Sequence, residues 1–221
     1  MKLISATPSP YARKVRICLA EKGIPCELVT EVPWNSTTQT PKYNPLEKLP
    51  VLIVAPGEAG NDEEVAVYES HFIIDWLEAK FGAPKYPAML SSDLDERLTA
   101  QQVQVVADGI CDALVIRFFE RMRPEDEQSK EWVARQMRKV DGGMKWLAGK
   151  VASGERYMVA GRFGVADIAT GAVCGYLDVR FAEYPWRTTY PALASYIDGL
   201  NARQSFAETI PSPQKITDKV V

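Results

Sequence analysis

The pattern of this chain changes character once, at Gly82-Ala83-Pro84-Lys85-Tyr86-Pro87. Before that stretch, short apolar runs of strand length alternate with helical segments; from Ser91 to about Arg203 every periodic segment is helical. Prolines and a glycine this close together break both helices and sheet ladders, so the stretch reads as a linker. The expected organisation is a small α/β domain over residues 1–81, a linker over 82–90 and an all-helical domain over 91–221.

In the first part, strands are expected at residues 2–6, 26–30, 51–54 and 65–68, with helices at 10–22 and 70–81. Pro10 suits a first helical position and Gly23 a stop. Val15, Cys18 and Leu19 share one face of that helix, which leaves Arg13, Lys14, Arg16 and Glu21 expected to point mostly outward. Residues 31–47 are irregular, with a short helical turn near 41–44. The order fits a four-stranded sheet with helices packed on it. The second part is expected to hold helices at 93–121, 125–151, 165–181 and 191–202.

Composition narrows the function classes. A net charge of -3 argues against a nucleic-acid surface, and no apolar run approaches membrane-spanning length. Met1-Lys2-Leu3-Ile4-Ser5 turns polar too soon for a signal peptide, so a cytoplasmic protein is expected. The four cysteines, Cys18, Cys26, Cys111 and Cys174, are scattered without a C-x-x-C pair and read as reduced thiols. With His71 as its one histidine, the chain has no His-rich zinc site, and no metal is expected.

Two short motifs carry chemistry. Lys48-Leu49-Pro50-Val51-Leu52 places a proline at the mouth of a buried strand, where ladder pairing starts. Tyr68-Glu69-Ser70 places a strand end directly against a helix start, whose hydroxyl and backbone amides suit a carboxylate. Together they describe a place where a small peptide can lie. A plain helix cap and an ordinary strand-entry proline remain the alternative readings of the same residues.

Three stretches in this order, Ser9-Pro10-Tyr11-Ala12-Arg13-Lys14-Val15-Arg16, Asn44-Pro45-Leu46-Glu47-Lys48-Leu49-Pro50-Val51-Leu52 and Glu69-Ser70, resemble the cytosolic glutathione transferase superfamily over nearly the whole chain. The resemblance is to bacterial serine-type members. It implies a thioredoxin-like α/β N-terminal domain with a four-stranded mixed sheet, an all-α C-terminal domain, and a homodimer. Glutathione is implied as co-substrate, with no metal. Ser9 would donate a hydrogen bond to the glutathione sulfur and favour its thiolate. The Leu49 backbone would pair with the peptide beside a cis Pro50, Lys48 would reach the glycine carboxylate, and Glu69 and Ser70 would hold the γ-glutamyl amine and carboxylate. Tyr11 would add a wall for an apolar second substrate lying against residues 107–114. Ser9 also reads as the cap of the following helix, and the two roles are expected to be compatible only if the hydroxyl leaves the cap. Gly164 stands where the family has Ser or Thr in a capping box completed by Asp167, a departure that concerns stability.

The expected function is conjugation of glutathione to a small electrophile, in the manner of a detoxification enzyme. The alternatives are a glutathione-dependent isomerase or lyase and a non-catalytic binding module. Without cysteine at position 9, thiol-disulfide exchange would fall to Cys18, expected to be buried, and is disfavoured.

Overall fold

The computed structural model describes residues 1–151 and 155–221. They form two compact units, Met1–Leu90 with Ser205–Asp218 and Ser91–Gln204 with Lys219–Val221.

The first unit runs β1 (Lys2–Ser5), α1 (Pro10–Glu21), β2 (Glu27–Thr30), a 3-10 turn at Thr40–Lys42, β3 (Val51–Val54), β4 (Val65–Tyr68) and α2 (Ser70–Lys80). The sheet is mixed and four-stranded, in the order β2-β1-β3-β4. β1 lies parallel to β2 and antiparallel to β3, and β3 lies antiparallel to β4. All four residues of β3 are buried, as a continuous apolar run in a strand covered on both faces should be. Ile4, Val51 and Ile53 form a cluster on one face with Tyr43, Ala66 and Tyr68. Leu3, Leu52 and Val67 line up across the strands on the other face and are also buried. Pairs of neighbouring elements in contact include α1 with α2 and α2 with β4.

One side of α1 departs from expectation. Arg13 and Lys14 do not point outward but are buried, at 3% and 1% exposure. For Arg13 the cause is the C-terminal segment Ser205–Asp218, which groups with this unit, whereas the sequence assigned all of 91–221 to the helical domain. Phe206 is fully buried, and the Arg13 guanidinium lies 5.5 Å from its ring centre. Arg16 Nη2 donates to the Glu208 carbonyl at 3.2 Å, and the Ser205 hydroxyl donates to the Glu21 carboxylate. Amphipathic periodicity marks the face turned to the main core and is blind to a segment returning from far along the chain.

Beyond α1, Lys22 Nζ donates to the carbonyls of Phe81 and Pro87, each at 2.9 Å, and pairs with Glu78 Oε1 at 2.6 Å. The two Glu78 oxygens accept the amides of Met89 and Leu90 at 3.1 and 3.3 Å. A single buried ion pair thus ties both ends of the proline-rich stretch to α1 and α2.

The second unit contains α3 (Leu94–Glu120), α4 (Lys130–Val151), α5 (Val165–Arg180), α6 (Trp186–Thr189) and α7 (Pro191–Asn201); α8 (Gln204–Ala207) follows. The helix expected from residue 125 starts later, because Glu125–Glu127 forms a separate 3-10 turn and the Ser129 hydroxyl accepts the Trp132 amide at 3.2 Å as a new cap. α5 is the central helix, buried at every residue from Val165 to Leu177, and α3 and α7 pack on it. α3 and α4 approach closely at Gly143, where a Cβ would fall 2.5 Å from Ile110 Cγ1. Gly164 offers no side-chain cap, and Asp167 supplies the other half: its carboxylate accepts the amides of Gly164 and Met158 at 2.8 and 2.9 Å and the Tyr196 hydroxyl.

Replacing Lys22 by Met would leave Glu78 an uncompensated charge, 10% exposed. The expected loss is about 3–5 kcal/mol by urea unfolding. Lys22→Met/Glu78→Leu should recover only part, since the Met89 and Leu90 amides then lose their acceptor.

Candidate active site

Register brings the candidate residues to one end of the sheet. Val51 stands opposite Ile4 of β1 and Tyr68 of β4. Extending both antiparallel registers past the end of the ladder sets Leu49 opposite Ala6 on one side and Ser70 on the other. On the β4 side no strand continues, because Glu69 takes φ +72° and Ser70 opens α2. The carboxyl ends of β1 and β4, the amino end of β3 and the amino ends of α1 and α2 therefore meet. Ser9, Leu49, Pro50, Glu69 and Ser70 share this sheet end, and the Leu49-Pro50 peptide is cis. Lys48 precedes it and is exposed; Tyr11 lies half-buried in the first turn of α1.

Ser9 is the N-cap of α1, its Oγ accepting the Ala12 amide at 3.2 Å. A hydroxyl has two acceptor lone pairs and a separate O–H donor. Accepting from Ala12 leaves the proton available, so capping and donation to a sulfur are compatible without the hydroxyl leaving its place. That corrects the expected exclusivity.

Glu69 caps α2. Its oxygens accept the His71 amide at 3.1 Å, the Phe72 amide at 3.1 Å and the Ser70 hydroxyl at 3.2 Å. Partial burial pushes its carboxyl up. The His71 and Phe72 amides, the Lys14 charge and the Ser70 hydroxyl outweigh this and hold it below the usual carboxylate range. Ser70 is 2% exposed, at the positive end of the α2 dipole.

Two contributors escape sequence reasoning. Lys14 is one: a buried cation whose field acts on Glu69 from the neighbouring helix. Its signal is present in the sequence only as a lysine between the apolar positions of α1. Asn44 is the other, buried at 2% exposure, with Nδ2 donating to the Lys48 carbonyl at 2.7 Å and Oδ1 accepting the Leu46 amide at 2.9 Å. It fixes the turn leading into Leu49, and the Asn-Pro dipeptide was its available sign. Trp34, in the irregular segment, is 44% exposed.

Cys18 is fully buried, and burial pushes its thiol up to about 12. Such a sulfur stays protonated and unreactive near neutrality. In the stretch 107–114 the residues Ala107, Ile110, Cys111, Ala113 and Leu114 are buried within the helical unit, while Gly109 and Asp112 are exposed. Among the described residues no cluster of His, Cys, Asp or Glu side chains is arranged to hold a metal ion.

Comparison with known proteins gives a consistent result. The family model for the glutathione S-transferase N-terminal domain matches residues 3–85, and that for the C-terminal domain matches residues 130–199. The uncharacterized GST-like protein YibF of Escherichia coli K12 is 34% identical over 211 residues, 96% of this chain and 98% of that protein. Glutathione S-transferase Z1 of Arabidopsis thaliana is 29% identical, covering 97% of this chain and 93% of its own. Among solved structures, a glutathione S-transferase of Methylobacterium radiotolerans in complex with glutathione sulfonate superposes with a TM-score of 0.91 at 53% identity, covering 100% of this chain and 99% of that one. One of Methylobacillus flagellatus with glutathione bound gives a TM-score of 0.85 at 32% identity, covering 95% and 98%.

A carboxyl held below its ordinary value contributes stability that is full above the unfolded value of about 4.3 and is lost as pH falls through the lower folded value. The stability advantage of wild type over Glu69→Gln should therefore be flat from about pH 8 to about pH 5 and shrink below that, read by urea unfolding. Against a Lys14→Met background the shrinkage should be smaller and complete at higher pH, because the folded carboxyl loses a cation that favours its charged form and so lies closer to its unfolded value.

Proposed function

The chain belongs to the glutathione S-transferase family, and from that premise we propose that it binds glutathione at the sheet end and conjugates it to a small electrophile. The observation that carries the proposal is the convergence of Ser9, the open Leu49 register and the capped Glu69-Ser70 helix start at one place. Glutathione bound in a related structure at 32% identity supports the same ligand here.

In this reading the cysteinyl backbone of glutathione pairs with Leu49, in the position that β4 vacates. The γ-glutamyl carboxylate takes the Ser70 amide at the amino end of α2, and the Ser70 hydroxyl as it turns from Glu69, while the ammonium group lies against Glu69. Lys48 reaches the glycine carboxylate as a flexible point charge. The sulfur then lies at Ser9, whose O–H stabilises the thiolate at the amino end of α1. A cysteine-type thiol has a pKa of about 8.5, so near neutrality this hydrogen bond raises the nucleophilic fraction. The thiolate attacks the electrophilic carbon, a C–S bond forms and the leaving group departs with the electron pair.

A homodimer is part of the proposal. Leu94, Leu98 and Val105 lie along one side of α3 at 66, 54 and 58% exposure, an apolar stripe suited to a second copy. Four scattered cysteines outside any disulfide support a reducing, cytoplasmic setting.

Calorimetry with glutathione and conjugation of a generic aryl halide test the reading. Ser9→Ala should lower conjugation roughly 10- to 100-fold, as befits a hydrogen bond to a charged group worth about 1.5–3 kcal/mol, and shift its pH profile upward. Equal activity would remove Ser9 from the chemistry. Binding without conjugate would favour an isomerase or lyase, and failure to bind glutathione a non-catalytic module. Leu98→Glu should shift the sedimentation mass from dimer to monomer; a mass unchanged by the substitution would argue for another interface.

A further inference from the structure

Within the helical unit, three arginines crowd around two aromatic rings where α3 and α5 end. The Arg121 guanidinium lies 4.7 Å from the centre of Phe181 and 5.3 Å from that of Phe118. Arg180 lies 4.6 Å from Phe118 on its own account, and Arg117 5.9 Å from Phe181. Arg121 Nη2 donates to the Arg180 carbonyl at 2.9 Å, which joins the two helix ends.

The acids nearby are largely committed elsewhere. Glu120 accepts the Ser129 amide at 2.7 Å, Glu127 pairs with Arg123 at 3.4 Å, and Asp178 accepts Trp186 Nε1 and Arg187 Nη2, each at 2.9 Å. Glu183 pairs with Arg121 at 3.6 Å, and its side chain is 60% exposed. Helix C-termini favour cations, which explains a guanidinium at each end. It does not explain Arg117, whose buried Nε has no hydrogen-bond partner among the described residues. A buried donor without a partner is costly unless something supplies an acceptor.

The electrostatics agree. Burial pulls the Arg180 guanidinium below its ordinary value; Tyr176 opposes this and the Arg121 charge adds to it. Burial, aided by Cys111, pushes the Tyr176 hydroxyl up, while Arg180 and Arg121 both draw it down. Two cations therefore bear on each other and on one buried hydroxyl.

We propose that Arg117, Arg121 and Arg180 form a binding site for the oxyanion of a small ligand, a carboxylate or a phosphate, at the joined ends of α3 and α5. The forked guanidinium donors match either group, and the aromatic rings hold the forks in place. The bound oxyanion places a counter-charge beside Arg117 and offsets the repulsion between Arg121 and Arg180.

The test is calorimetric titration with inorganic phosphate and, separately, with benzoate, against chloride at equal ionic strength. Saturable binding of either probe above the chloride control is expected, and which one binds tells phosphate from carboxylate. Arg180→Gln should weaken that binding at least about 10-fold, the scale of one lost charge-assisted contact. Arg180→Lys, which keeps the charge without the fork, should fall between. Glu183→Gln should tighten binding several-fold, because it removes the carboxylate that competes for Arg121; a role confined to helix capping would not produce this. Glutathione affinity should be the same in all these variants, so the outcome is independent of the glutathione reading. Heats no larger than those of chloride, or affinities unmoved by both Arg180→Gln and Glu183→Gln, would overturn the site.

Discussion

Everything at the candidate active site depends on β3 lying antiparallel to both of its neighbours. That arrangement puts the entry of β3 beside the exits of β1 and β4. Two helices then begin at the same sheet end, each with unpaired amides in its first turn. Had β3 run the other way, Leu49 and Pro50 would lie a strand length from Ser9. A one-residue slip of β3 would turn Val51 and Ile53 off the face where they cluster with Ile4. The hydrophobic pattern that makes the core therefore also aligns the site.

The helix that carries Ser9 is held by buried charge as well as by apolar contact. Arg13, Lys14 and Lys22, on α1 and just past its end, are all buried. Lys22 has two carbonyls and a carboxylate. Arg13 Nη2 reaches the Phe206 carbonyl at 3.5 Å, and Lys14 acts on Glu69. Buried cations are tolerated only when partnered, so each fixes α1 against a different stretch of chain. At the ends of α3 and α5 the guanidiniums gather instead around the Phe118 and Phe181 rings, with Glu183 paired to Arg121.

Much of this was legible. The change of pattern near residue 82, the strand and helix order, Pro50 at a strand mouth and Glu69-Ser70 at a helix start all rest on local signals: caps, prolines and short apolar runs. Arg13 and Lys14 were misjudged because their partners, Phe206 and Glu69, lie far along the chain. Asn44 announced a turn, but nothing in the sequence says that its amide would hold the Lys48 carbonyl.

The elements, their order and the residue types available for chemistry follow from local sequence, because capping, chain stiffness and hydrophobic period act over a few residues. The tertiary structure alone decided which of them meet. It brought Ser9, Leu49 and Ser70 to one sheet end through strand register, buried Lys14 beside Glu69, and returned Ser205–Asp218 to α1. The physical reason is that buried charges and strand edges are satisfied by whatever the fold places beside them, and that neighbour is set by packing across the whole chain rather than by its local sequence.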